Sequence, residues 1–160
     1  MDYIETLREQ IQKWSRYFRV TQLDVQFRDV FEGTKELEIV DAYVESLDLY
    51  ALGKKWRKVD YQRAHEILSW FMHNDIVSNR GLMPLKEAEE FSTAFAKIFS
   101  ANARCYTNAD WKYFCYNWIL LTDKGYLEFE NGKAVTYQEY CVIFLDDVFI
   151  GLIWSQSRYD

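Results

Sequence analysis

The chain has 160 residues, 49% of them hydrophobic and 18% aromatic, with a single Pro and six Gly. That composition excludes general disorder and the collagen-like, Pro-rich and Gly-rich repeat classes, and it fits one domain over 1–160. Nineteen basic residues stand against 25 acidic ones, net −6, which opposes non-specific attraction to nucleic acid or anionic lipid and points to a basic partner.

In chain order, Ile4, Leu7, Ile11, Trp14 and Phe18 recur at steps of three and four and predict a first helix. Thr21 with Asp24 resembles a helix start, and Leu23, Phe27, Val30 and Phe31 continue an apolar face to Gly33, predicting a second, short helix. Thr34 caps an expected third helix with the stripe Leu37, Val40, Val44, Leu47 and Ala51, ended by Gly53. Asp60 caps a fourth helix carrying Ala64, Ile67, Leu68 and Phe71, and Pro84 opens a fifth carrying Ala88, Phe91, Phe95, Ile98 and Phe99. The helical part is thus expected over about 1–102.

Beyond Asn102 the signals change. Residues Trp111–Leu121 are dense in aromatic and branched side chains, with breaks at 123–125 and at Asn131-Gly132. Asn131-Gly132 predicts a two-residue hairpin joining Tyr126–Glu130 to Lys133–Tyr137 or beyond, and Asp146-Asp147 a turn between Tyr140–Leu145 and Val148–Trp154. Thr136 and Glu139 also match a capping box, which leaves a short helix at 136–140 as the alternative. The expected fold class is α+β: about five N-terminal helices, then an antiparallel sheet of about four strands over about 110–156.

The strongest functional signal is electrostatic. Glu38, Asp41, Glu45 and Asp48 follow helical spacing along the third helix, so four carboxylates share one face with no cation interleaved. Residues 24–48 hold eight acidic side chains against two basic ones, a net of −6. This predicts a docking surface for a basic protein groove. Two plainer readings compete: a solvated face, or internal pairing with the basic segment Lys54, Lys55, Arg57, Lys58 and Arg63. Asp146 and Asp147 are a second candidate contact with the same partner, while Glu128, Glu130 and Glu139 are expected to face solvent.

Catalytic fingerprints are missing from the sequence. His65 and His73 lie eight residues apart, and Ser69 stands where a HExxH metal motif needs its second His. Cys105, Cys115 and Cys141 are odd in number with no CxxC pair, so buried thiols in a reducing compartment are expected, without a disulfide framework or zinc site. The glycines are scattered singly, which gives no phosphate cradle. No cofactor, metal or enzymatic turnover is expected. The aromatic run at 111–118 is expected to serve the core or a protein interface, because it lacks the positive groove of a base-stacking platform. The opening MDYIETLREQ is not signal-like and no membrane span is evident, so the expected compartment is the cytoplasm.

An acidic chain with helices first and a closing apolar hairpin, CVIFLDDVFIGLIW at 141–154, resembles the immunity proteins of bacterial contact-dependent inhibition and related polymorphic toxins. The resemblance implies a non-catalytic inhibitor that binds a cognate toxin domain, often a nuclease, by direct contact. It carries over no residue roles. The alternatives are a small cytosolic hydrolase using a Cys or Asp146-Asp147, and an acidic, DNA-mimicking adaptor.

Overall fold

The computed structural model describes residues 2–14, 19–75, 80–81, 83–111, 117–122 and 127–159. The elements run α1 (Asp2–Lys13), β1 (Arg19–Phe27), a 3-10 turn (Arg28–Val30), α2 (Glu36–Ser46), a second 3-10 turn (Gly53–Lys55), β2 (Arg57–Val59) and α3 (Tyr61–His73). There follow the short β3 (Asn74–Asp75) and β4 (Arg80–Gly81), α4 (Leu85–Ala96), β5 (Arg104–Thr107), β6 (Ala109–Asp110) and β7 (Asn117–Trp118). The chain closes with β8 (Leu127–Glu130), β9 (Lys133–Leu145) and β10 (Phe149–Tyr159).

The principal sheet has six strands in the order β1-β10-β9-β5-β2, with β8 also on β9. Every pairing is antiparallel. Alternate β9 residues serve different layers. Tyr140, Val142 and Phe144 face a core built with α1, α3 and α4, whereas Cys141, Ile143 and Leu145 face a second core built with α2 and Trp56. Burial on both faces explains the continuous apolar run of the closing hairpin.

The α+β character stands, but the predicted counts do not. There are four α-helices among the described residues, not five, because the expected second helix is β1 and a 3-10 turn. Thr21, Leu23, Val25 and Phe27 alternate with Gln22, Asp24 and Gln26, a strand period that the spacing of Leu23, Phe27, Val30 and Phe31 masks. Pairing along the whole of β10 selects the strand. The sheet has six strands instead of about four, since β1 and β2 join it from the first 102 residues. The expected segments Lys133–Tyr137 and Tyr140–Leu145 are one continuous strand, β9, and the alternative helix at 136–140 is strand.

Other expectations match the structure. Asp60 caps α3, accepting from Arg63 N at 2.7 Å, and Pro84 is the N-cap of α4. Asn131 and Gly132 have φ values of 51° and 78°, the left-handed pair that a tight hairpin demands. Gly151 sits where β1, β10 and α4's C-terminal loop converge: a Cβ there would lie 2.7 Å from Phe99 Cζ and 3.0 Å from Asp24 O. Phe18, Cys115, the aromatic run at 112–116 and the expected turn at 123–125 lie outside the described residues.

Candidate protein-docking surface

The predicted acidic stripe divides into four different roles. Glu38 turns back on the start of α2, where its carboxylate accepts from Thr34 N at 3.1 Å and Lys35 N at 3.5 Å, satisfying donors that a helix start leaves open. Asp41 is a clamp: Oδ1 accepts from Leu52 N and Gly53 N, each at 3.2 Å, and from Trp56 Nε1 at 2.8 Å. Glu45 is exposed on α2. Asp48 lies beyond the helix at φ 62°, so it leaves the expected stripe, although its side chain is exposed.

Internal pairing takes an unexpected form. Lys54, Lys55, Arg57 and Lys58 are exposed, and among the described residues no ion pair joins them to the stripe. Asp41 instead holds that segment through its backbone and one indole. Burial raises the proton affinity of Glu36, but hydrogen bonds from Tyr106 and Arg104 outweigh it and hold the carboxyl below its ordinary range. Arg104 Nε lies 2.8 Å from Glu36 Oε2.

Asp146 and Asp147 part company as well. Asp146 is buried and structural: Oδ1 accepts from Val148 N at 2.8 Å and Phe149 N at 2.7 Å, while Oδ2 accepts from Ser100 N at 2.8 Å. Burial opposes ionisation, yet these backbone donors keep its carboxyl below the ordinary value. The same turn directs Asp147 outward, 90% exposed, at 3.5 Å from Arg28 Nη1 and 3.7 Å from Arg104 Nη1. Glu139, expected at the surface, is fully buried. It accepts from Leu121 N at 3.1 Å, Trp154 Nε1 at 3.0 Å and Thr122 Oγ1, and so fastens the 119–122 segment to the sheet.

A second gathering of carboxylates begins at the first residue of the stripe, Glu38, and extends away from α2. The 3-10 turn after β1, the approach to α2 and the β9–β10 turn enclose an open groove of about 980 Å³. Asp29, Glu32, Glu38 and Asp147 line it against one cation, Arg28, together with Phe31 and Ile39. Arg28 ties the 3-10 turn to the β9–β10 turn, since its N–H donates to Val148 O at 2.9 Å and its Nη1 to Asp146 O at 3.3 Å. Beside the groove, Phe27, Val30 and Val148 are 63%, 64% and 54% exposed, and the Phe27 ring stacks on Phe149 at 5.3 Å. Of the six predicted contact residues, Glu38 and Asp147 meet here. Asp29, Glu32 and the apolar trio were not singled out as contacts, although the −6 window contains both of those carboxylates.

Carboxylates only accept hydrogen bonds, so the groove's chemistry is complementary to Lys and Arg, and the adjoining exposed apolar side chains are of the kind that a protein partner would desolvate. The residues proposed for chemistry are engaged elsewhere. His65 Nε2 lies 3.0 Å from Thr93 Oγ1, and His73 Nδ1 donates to Met83 O at 2.7 Å. Cys105 and Cys141 are buried on opposite sides of the sheet. Burial pushes the Cys105 thiol up to about 12 and the Cys141 thiol higher still. No group of three or more His, Cys, Asp or Glu able to hold a metal occurs among the described residues, and none of their helices is long and apolar enough to cross a membrane. Comparison with protein-family models, curated proteins and solved structures gave no match.

Proposed function

We propose that this chain is a non-catalytic docking protein that binds a basic protein partner through the groove of Asp29, Glu32, Glu38 and Asp147. In keeping with the resemblance of the sequence, it acts as an immunity protein that neutralises a toxin domain, a basic nuclease being the best fit. The observation that carries the reading is the coincidence of four groove carboxylates with the exposed apolar side chains of Phe27, Val30 and Val148. Opposite charge accelerates encounter and selects the partner, while apolar anchors slow dissociation.

The hydrolase alternative draws less support, because the two described thiols are sealed in the cores and the Asp146 carboxylate is occupied by three backbone donors. The DNA-mimic alternative needed the regular carboxylate spacing that Asp41 and Asp48 abandon. In this reading the protein works in the cytoplasm, without cofactor or metal.

The test is growth rescue. Cells expressing the toxin domain encoded beside this chain should survive with the wild type and die with a folded Asp29→Asn, Glu32→Gln, Asp147→Asn triple variant. Full protection by that variant contradicts the assignment of the groove.

A further inference from the structure

We infer that the outer edge of β1 takes up an extended basic segment of the partner as an added strand, whose far end enters the acidic groove. This rests on the docking reading above. Ladder parity carries it. Arg28 N–H donates to Val148 O at 2.9 Å, one step beyond the Phe27↔Phe149 pair, and Asp146 N–H donates to Phe149 O at 3.0 Å. Odd-numbered residues of β10 therefore turn their amides toward β9 and even-numbered ones toward β1. On β1 the even positions bond β10, and the odd positions turn N–H and C=O outward.

Leu23 O obeys this parity, receiving Arg8 Nε from α1 at 3.2 Å. The outward N–H and C=O of Val25 and the outward N–H of Phe27 have no hydrogen-bond partner among the described residues, which leaves two open donors and one open acceptor, while Phe27 C=O stands at the start of the 3-10 turn. Edge strands are commonly guarded by Lys, Pro, a bulge or brevity. The opposite edge, β2, has three residues and presents exposed Arg57 and Lys58. Strand β1 is nine residues long, RVTQLDVQF, and pairs with β10 without interruption.

The occupant follows from continuity. Past Phe27 the chain enters the turn whose Arg28 and Asp29 line the groove, so a strand laid against Val25 and Phe27 extends over its carboxylates. Lys or Arg at alternate positions fits there, because alternate side chains of a strand share a face. A second copy of this chain brings the same net −6 and is disfavoured by repulsion.

Phe27 supplies the test. Its φ of −67° and ψ of 133° are those of a proline in extended chain, and its N–H points away from β10. Phe27→Pro removes an edge donor without breaking the ladder, while Phe27→Ala removes the same ring and keeps the donor. The probe is a labelled, acetylated KVKVKVK amide read by fluorescence anisotropy on the full chain, beside the same peptide N-methylated at alternate amides. Phe27→Ala is the reference, since it has already lost the ring: Phe27→Pro should bind about tenfold or more weakly than Phe27→Ala, and the methylated peptide about tenfold or more weakly than the unmethylated one on the wild type.

Equal binding by Phe27→Ala and Phe27→Pro, or of the two peptides by the wild type, overturns strand addition, as does undetectable binding of the unmethylated peptide to the wild type. If binding survives Phe27→Pro yet fails in the Asp29→Asn, Glu32→Gln, Asp147→Asn variant, strand addition is wrong and the groove reading stands. The reverse pattern removes the groove and keeps the edge. A wild-type dimer in sedimentation that Phe27→Pro dissociates and Phe27→Ala does not seats a second copy on the edge, and the inference fails. Should Phe27→Pro not fold, the methylated peptide decides on the wild type.

Discussion

Asp41 and Trp56 are joined at 2.8 Å, the indole Nε1 donating to Oδ1 of a carboxylate that also receives the N–H groups of Leu52 and Gly53. One side chain of the supposed docking stripe thereby closes the chain between α2 and β2 over the second core, to which Leu52 and Trp56 belong. Asp41→Ala leaves three donors without their acceptor and should lower unfolding free energy by about 2–4 kcal/mol. Asp41→Asn keeps one acceptor oxygen and should cost less. Urea denaturation of both variants checks the order, and an unchanged Asp41→Ala midpoint contradicts the clamp.

Stability should decline in acid, with Asp146 and Glu36 contributing. Both carboxyls titrate below their ordinary values of 3.8 and 4.5 in the folded chain, so their stabilisation is complete above those values and is lost as pH falls through the lower folded-state values. Asp146→Asn also turns an amide donor toward a backbone N–H and should cost about 1–3 kcal/mol at neutral pH. Its stability should consequently depend less on pH below about pH 4 than the wild type's. Parallel pH profiles of wild type and variant contradict this.

The thiols of Cys105 and Cys141 should resist alkylation in the native state and react once the chain is unfolded. Both are buried, and burial raises their proton affinity, leaving little thiolate to attack a reagent. Mass spectrometry after brief iodoacetamide treatment reads each site separately. Rapid native labelling of either would reopen the nucleophile reading.

Gly151→Ala should destabilise the fold by about 1–3 kcal/mol, because the added methyl meets a backbone oxygen that cannot move independently of β1. Thermal unfolding checks it. A neutral result would mean that β1 and β10 separate more easily than their continuous pairing implies.

These contacts explain what the sequence disclosed and what it concealed. The caps at Asp60 and Pro84, the turn at Asn131-Gly132 and the closing hairpin were legible because each depends on neighbours in the chain. Strand β1 was not, since its apolar residues satisfy a helical and a strand period together and its partner lies more than 120 residues away. The site was half legible. Charge counting found the acidic window, but helical geometry put its focus on Glu38, Asp41, Glu45 and Asp48, of which Asp41 is held by Trp56 and Asp48 has left the helix on a left-handed backbone. Asp29 and Asp147 meet in one groove only because Arg28 pairs with Val148 across the β1–β10 ladder.

The most direct test compares two charge-neutralised variants in their affinity for the basic partner that the proposed function requires, with melting temperature measured on the same samples. Asp29→Asn, Glu32→Gln, Asp147→Asn should bind about 100-fold or more weakly, as expected for several interfacial charge pairs each coupling by more than about 1 kcal/mol. Glu45→Gln, Asp48→Asn should bind within about threefold of the wild type. Both should remain folded. Retained affinity in the groove variant, with loss in the Glu45→Gln, Asp48→Asn variant, would contradict the account and return the docking surface to the end of α2.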